Sequence, residues 1–341
     1  MIPEFYNIIW YILVGVLLTG YAILDGFDLG VGGLHLLARG DQERRIFLNS
    51  IGPFWDGNQV WLVTGGGALF AAFPHVYATA FSGFYIAFIL LLFTLIFRGV
   101  SIHVRSLRES GAWRSFWDWA FSVSSLLASL LIGVALGNVA WGVPIEANFR
   151  YQGDIFAQIH PYTLMTGLLV VAMFLMHGAI YLVLKTDGDL NARVRTWVRP
   201  AIITFIILYV VVTMATLLYL PHMADPFRNN PVLFLVPALS VLAIANIPRE
   251  MHHGREFFAF LSSAVAMMLL LALFGIGMFP ELIHSRPDAA NSMTIYNASS
   301  SQKTLQTMLI MAAIGMPLVI AYTFHIYRVF QGKVKLDSMS Y

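Results

Sequence analysis

Three of the four aspartates in the first sixty residues lie in or beside apolar segments, where a carboxylate is costly. Asp25 and Asp28 are three residues apart inside one long apolar segment, so a helix would project both from one face. Asp56 begins the next such segment, beside Asn58 and Gln59. An intramembrane carboxylate faces the protein interior or water, and often relays protons or ions. The alternatives are a structural ion-pair partner for Asp25 and Asp28, and a helix cap for Asp56.

Arg98 and His103 end the third apolar segment, on the side of the membrane where Asp56 begins the second. Arg98 is a candidate counter-ion of Asp56 or Asp28, because buried opposite charges stabilise each other. Its alternative is a cytoplasmic-side arginine that extends to water. His103 changes charge near neutral pH and could carry protons; otherwise it is an ordinary loop histidine.

The remaining histidines do not indicate a haem site. Of the ten in the chain, only His35, His160, His177 and His325 fall within or at the edges of the apolar segments. None is central with an obvious axial partner, so a di-haem cytochrome is disfavoured. His35 lies two turns from Asp28 on the same helix face, which allows an Asp–His pair. The chain has no cysteine, which excludes disulfides and thiolate metal sites.

The elements that must position these residues are membrane helices. The 341 residues are 58% hydrophobic and only 11% charged, whereas a soluble domain carries about 25% charge. The mean hydropathy is +0.73. A net charge of +2 gives no support for a nucleic-acid partner.

About 20 apolar residues cross the hydrocarbon core as a helix. On this criterion the sequence predicts an all-α polytopic membrane protein. Residues 1–341 would form a single membrane domain of nine transmembrane helices, at 7–37, 54–73, 76–97, 117–141, 161–185, 198–220, 232–248, 257–280 and 304–330.

The basic residues predict the orientation of these helices. The odd-numbered loops and the C-terminus hold 16 of the 20 Lys and Arg residues; the others are Arg150, Arg228, Arg286 and Lys303. Cationic loops stay in the cytoplasm, which predicts a periplasmic N-terminus and a cytoplasmic C-terminus. Opposite termini require an odd number of spans, in agreement with nine.

Two long motifs carry a resemblance to a known family. DGFDLGVG at 25–32 and WDGNQVWL at 55–62 resemble subunit II of the cytochrome bd-type quinol oxidases, as do GGALFAA at 66–72 and GMFP at 277–280. The resemblance covers almost the whole chain and thins between about 147 and 231. It implies a bacterial cytoplasmic (inner) membrane protein that pairs with a haem-bearing subunit I.

The resemblance also implies the activity and the partners. The complex would oxidise quinol and reduce oxygen to water, taking protons from the cytoplasm. Haems b and d would be ligated by subunit I, so that this chain would ligate no cofactor and no metal. Membrane lipids, quinone and small single-helix subunits are further expected partners.

Transferred to this chain, the resemblance assigns residue roles. Trp55 and Asp56 would form the proton entrance with Arg98 beside it, and Asp25 and Asp28 would be polar positions next to the path. Trp61 would line an oxygen route.

His103 departs from the family pattern, which has an aspartate at this position. A histidine can still relay protons, but the local charge changes sign.

A proton- or cation-coupled secondary transporter is the alternative, since it would also use intramembrane carboxylates. Such a transporter should show two related halves with interrupted helices in matching positions, and the sequence shows neither.

Overall fold

The computed structural model describes residues 4–336, and this part of the chain is almost entirely helical. In chain order the α-helices are α1 (Phe5–Leu34), α2 (Gly40–Ile51), α3 (Trp55–Ala72), α4 (Pro74–Gly83), α5 (Tyr85–Val104), α6 (Gly111–Trp141), α7 (Pro161–Lys185), α8 (Gly188–Tyr219), α9 (Asp225–Asn229), α10 (Leu235–His252), α11 (Glu256–Met278) and α12 (Gln302–Val329). Short 3-10 turns at His35–Leu37 and Arg105–Leu107 extend α1 and α5.

Eight segments within residues 4–336 are long and apolar enough to cross a membrane: α1, α5, α6, α7, α8, α10, α11 and α12, some with their adjoining turns. This agrees with a polytopic membrane protein. The predicted second span corresponds to α3, which is not among the eight. Its first two turns carry Asp56, Asn58 and Gln59, and these side chains lower its apolar character. The number nine therefore stays a prediction.

The predicted third span, 76–97, differs from the structure. The chain forms the short helix α4, breaks at Phe84, and continues as α5 to Val104. Gly83 has a weak helix propensity, and its carbonyl accepts a hydrogen bond from the side chain of Gln158 at 2.6 Å. A side chain from a distant loop thus contacts the backbone at the break, which sequence periodicity could not anticipate.

Helix ends also differ where charged residues lie outside the apolar core. The helix expected at 198–220 begins at Gly188, and the helix expected at 117–141 begins at Gly111. Hydropathy marks only the apolar part of a helix, whereas the hydrogen-bonded backbone continues through its polar first turns.

A small β-hairpin interrupts the all-α architecture in the segment between α11 and α12. Strand β1 (Glu281–Ile283) pairs antiparallel with β2 (Met293–Thr294). A backbone bridge joins Val143 to Ser285, so the hairpin also contacts the segment after α6.

Helix α7 is the most buried of the candidate spans, and it packs closely on α1. The crossing point is made by Gly30 and Gly178. A Cβ added at Gly30 would lie only 1.9 Å from the carbonyl oxygen of Phe174. Such close backbone contact needs small residues at the interface. It also fixes the position of Asp25 and Asp28 on α1 relative to α7.

Candidate functional site

A fully buried ion pair joins α1 to α5. Both carboxylate oxygens of Asp25 accept hydrogen bonds from Arg98, at 3.0 Å from Nη1 and 2.6 Å from Nη2. Both side chains are completely inaccessible to solvent. The bidentate geometry is the strongest that an arginine and a carboxylate can adopt. Arg98 was a candidate counter-ion of Asp56 or Asp28, and this pairing is wrong, because Asp25 binds both of its terminal nitrogens.

Asp28 has a different environment, although it lies one turn from Asp25. Its Oδ2 accepts a hydrogen bond from the amide Nδ2 of Asn58 at 2.8 Å. The Asn58 carbonyl oxygen in turn accepts from the hydroxyl of Tyr327 on α12, at 2.9 Å. Oδ1 of Asp28 is buried without a hydrogen-bond partner among residues 4–336. The arrangement links α1, α3 and α12 through one amide.

Trp55, Asp56 and His103 lie at the end of this site where α3 begins and α5 ends. The rings of Trp55 and His103 are edge to face, with centroids 5.6 Å apart. Asp56 is exposed in the first turn of α3, whose N-cap is Phe54. Asp56 is thus not the capping residue. Its carboxylate lies at the positive end of the helix, where it is electrostatically favourable.

A groove of about 540 Å³ runs between α3 and α12, and Asp56, Asn58 and Tyr327 line it. Trp61 lines the same groove farther along α3. Its ring lies against Gly20 of α1, where an added Cβ would come within 2.4 Å of the ring. The groove is therefore polar where α3 begins and mostly apolar farther along.

A second buried charge cluster lies where α6 begins, and sequence reasoning did not predict it. Asp118 accepts from Nε2 of His35 at 2.6 Å, from Nε of Arg105 at 2.5 Å and from Nη1 of Arg44 at 2.7 Å. The sequence allowed an Asp–His pair between His35 and Asp28, but His35 pairs with Asp118 instead. Asp118 lies in a polar, Trp-rich start of α6, and hydropathy gave no signal that it is buried.

The buried histidine on α7 does not fit a haem ligand. Nδ1 of His177 is hydrogen-bonded to Ser263 at 2.7 Å, and Nε2 to the carbonyl of Ile23 at 3.1 Å. Both ring nitrogens are therefore engaged by the protein, and an iron ligand needs one of them.

Glu43 and His222 are among the titratable groups outside the spans whose pKa values are shifted. Burial raises the pKa of Glu43, but hydrogen bonds from Arg193 and from the backbone N–H of Arg39 outweigh it and hold the pKa below its ordinary value. Burial, and then electrostatic repulsion from the neighbouring His284, lower the pKa of His222. Glu43 is thus charged and His222 neutral at pH 7.

These features define a class of protein: a many-helix membrane protein with charged and polar groups buried on its first helices. The comparisons with known proteins give the family. The family model described as "Cytochrome bd terminal oxidase subunit II" matches residues 6–330. The chain belongs to this family.

Relatives from distant bacteria match along nearly the full length. The chain is 38% identical to "Cytochrome bd-I ubiquinol oxidase subunit 2" of Escherichia coli (strain K12), covering 98% of this chain and 97% of the relative. It is 33% identical to "Cytochrome bd ubiquinol oxidase subunit 2" of Bacillus subtilis (strain 168), covering 96% of each.

The fold agrees with a solved structure. "The structure of bd oxidase from Geobacillus thermodenitrificans" contains a chain that superposes with a TM-score of 0.78 at 18% identity, covering 95% of this chain and 98% of that one. At this identity the likeness shows the fold alone.

The family membership favours the oxidase subunit over the secondary transporter. The chain is a subunit of a membrane oxidoreductase complex and a multi-pass protein of the bacterial cytoplasmic membrane. A subunit I partner is implied by the relatives' description as subunit 2.

Proposed function

We propose that this chain is the haem-free subunit of a bd-type quinol:oxygen oxidoreductase and that it conducts protons from the cytoplasm toward its haem-bearing partner. The observation that carries the proposal is the polar connection from the groove through Tyr327 and Asn58 to Asp28. A buried carboxylate linked by hydrogen bonds to an open groove is what proton uptake requires. Haems b and d would be held by subunit I.

The proposal includes nine membrane crossings in a single domain, with α3 as the ninth. Its 18 residues span roughly 27 Å at about 1.5 Å per residue, close to the thickness of the hydrocarbon core. The polar first turns of α3 would then lie at the cytoplasmic surface. Nine crossings put the N-terminus in the periplasm and the C-terminus in the cytoplasm, in agreement with the distribution of basic residues.

Asp56 would be the proton entrance, with Trp55 and His103 beside it. The exposure of Asp56 and its position in the lining of the groove support this role. His103 is exposed and in ring contact with Trp55, so an imidazole would replace the family's carboxylate at the rim. The pair of Asp25 and Arg98 would hold fixed charges alongside the path.

Trp61 would line an oxygen route. Oxygen is apolar and partitions into lipid, so an apolar corridor can deliver it. Support comes from Trp61 in the mostly apolar part of the groove and from its close packing on Gly20. Quinol would be oxidised by the complex, and lipids, quinone and small single-helix subunits would be its further partners.

The test replaces the entrance carboxylate. We expect Asp56→Asn to lower quinol-dependent oxygen uptake per haem by about tenfold or more, since positioned proton-transfer groups contribute at least that much, while the complex still assembles. The matched control is Asp189→Asn, because Asp189 is also exposed in the first turn of a helix, α8.

The readouts separate the hypotheses. Haem absorbance of the purified complex reports assembly, and oxygen uptake reports turnover. Normal turnover in Asp56→Asn would contradict the entrance role. Alternatively, Asp56→Asn could lower the amount of assembled complex while each remaining complex turns over at the normal rate. Asp56 would then be a structural residue at the start of α3.

A further inference from the structure

A separate cavity opens where α2 and α6 begin, beside the Asp118 cluster. Its volume is about 270 Å³, and it is lined by Asp41, Arg44, Arg105, Glu109, Gly111 and Arg114, among others. None of these residues belongs to the proposed proton path or to the groove between α3 and α12. The cavity is large enough for a small hydrated anion and too small for a lipid chain.

The most informative residue in this lining is Arg105. Its side chain is only 2% exposed. Nε donates to Asp118, and Nη2 donates to Asp41 at 2.8 Å. Nη1 is buried without a hydrogen-bond partner among residues 4–336, and the same is true of Nε of Arg44. A buried guanidinium N–H group without a hydrogen bond is energetically costly. Two such N–H groups beside one cavity therefore indicate that the cavity binds an acceptor.

The charges around the cavity favour an anionic acceptor. Three guanidinium groups, of Arg44, Arg105 and Arg114, meet two carboxylates, Asp41 and Asp118. One positive charge remains within the cluster. Glu109 lies exposed at the rim, where solvent screens its charge.

Backbone amides add to this preference. Gly40 and Gly111 are the first residues of α2 and α6, and neither helix has a side-chain cap. The free N–H groups of a helix start, together with its positive dipole end, favour phosphate and similar anions. Both helix starts lie in the lining of the one cavity.

We propose that this cavity binds a phosphate group, carried by an anionic lipid headgroup or present as free inorganic phosphate. Arginine recognises phosphate through its planar fork of donors. The buried Arg105 would provide the inner donor, and Arg44 and Arg114, each 29% exposed, would provide the outer ones.

The test uses the purified, assembled complex. Native mass spectrometry with added phosphatidylglycerol measures binding of a lipid headgroup, and titration calorimetry with inorganic phosphate measures binding of the free anion. The variant is Arg114→Gln, because Arg114 is 29% exposed and its change leaves the bonds of Asp118 intact. The control is Arg249→Gln on α10, which is 67% exposed and far from this lining.

We expect about tenfold weaker binding in Arg114→Gln and unchanged binding in the control, as for the loss of one charge-assisted hydrogen bond. Weakening of phosphatidylglycerol binding identifies a lipid as the source, and weakening of phosphate binding alone identifies the free anion. A second variant, Ser115→Glu, places a negative charge at the lining and should abolish binding. If neither ligand binds, or if both variants bind as the wild type does, the proposal is wrong.

Discussion

The buried pair of Asp25 and Arg98 makes a sharp prediction about stability. Asp25→Asn keeps the shape of the side chain but removes its charge, and leaves the guanidinium of Arg98 buried without a counter-ion. Both partners are fully inaccessible, so water cannot replace the lost carboxylate. Breaking a buried pair on one side costs about 3–5 kcal/mol.

The size of the effect can be measured as a shift of the unfolding midpoint. A change of 1 kcal/mol moves the midpoint of a large chain by roughly 2 °C, so Asp25→Asn should lower it by about 6–10 °C. The measurement is thermal unfolding of the detergent-solubilised complex. The control is Asp225→Asn, since Asp225 also pairs with an arginine but at an exposed site. An exposed pair contributes at most about 1 kcal/mol.

A double variant decides whether the charge is the cause. Asp25→Asn combined with Arg98→Met removes both charges, so no buried ion is left unpaired. We expect the double variant to be more stable than either single variant, with a coupling energy of about 3 kcal/mol or more. If the double variant is as unstable as the sum of the two single variants, the ion pair does not explain the stability of this site.

Two further predictions concern helix contacts. Gly30→Ala should destabilise the chain by about 3 kcal/mol or more, because the added Cβ would collide with the carbonyl of Phe174. The control is Gly15→Ala, since an added Cβ at Gly15 has nothing within 4 Å. Equal unfolding midpoints of the two variants would refute the close contact between α1 and α7. Tyr327→Phe should cost about 1–3 kcal/mol, because the buried carbonyl of Asn58 loses its donor. Unfolding midpoints check this change too, and a neutral result would contradict that hydrogen bond.

Much of the site could be predicted from residue type alone. A carboxylate in an apolar helix must find a partner, and this argument correctly singled out Asp25 and Asp28 as buried interior residues. It also selected Arg98 as a counter-ion. The choice among three aspartates depended on how α5 is rotated and shifted against α1, and no local pattern carries that information.

The roles of Tyr327 and Asp118 could not be predicted from the sequence, for physical reasons. Tyr327 lies near the end of the last helix, 269 residues from its partner Asn58, and a tyrosine at a helix end is ordinary in a membrane protein. Asp118 lies within Trp117-Asp118-Trp119, where an interfacial position is as reasonable as a buried one. The burial of Asp118 follows only from the packing of α1, α2, α6 and the turn after α5, which bring His35, Arg44 and Arg105 to it.

The environments of the three aspartates bear on which one could carry a proton in the proposed path. Protonating Asp25 would leave Arg98 buried with an uncompensated charge, at a cost of about 3–5 kcal/mol. Asp28 accepts one hydrogen bond from a neutral amide and forms no ion pair among residues 4–336, so its protonation leaves no cation without a counter-ion. Asp56 is open to the groove. A path in which Asp56 takes up the proton and Asp28 then binds it therefore costs less electrostatic free energy than a path through Asp25. Asp25 would then act by keeping Arg98 in place.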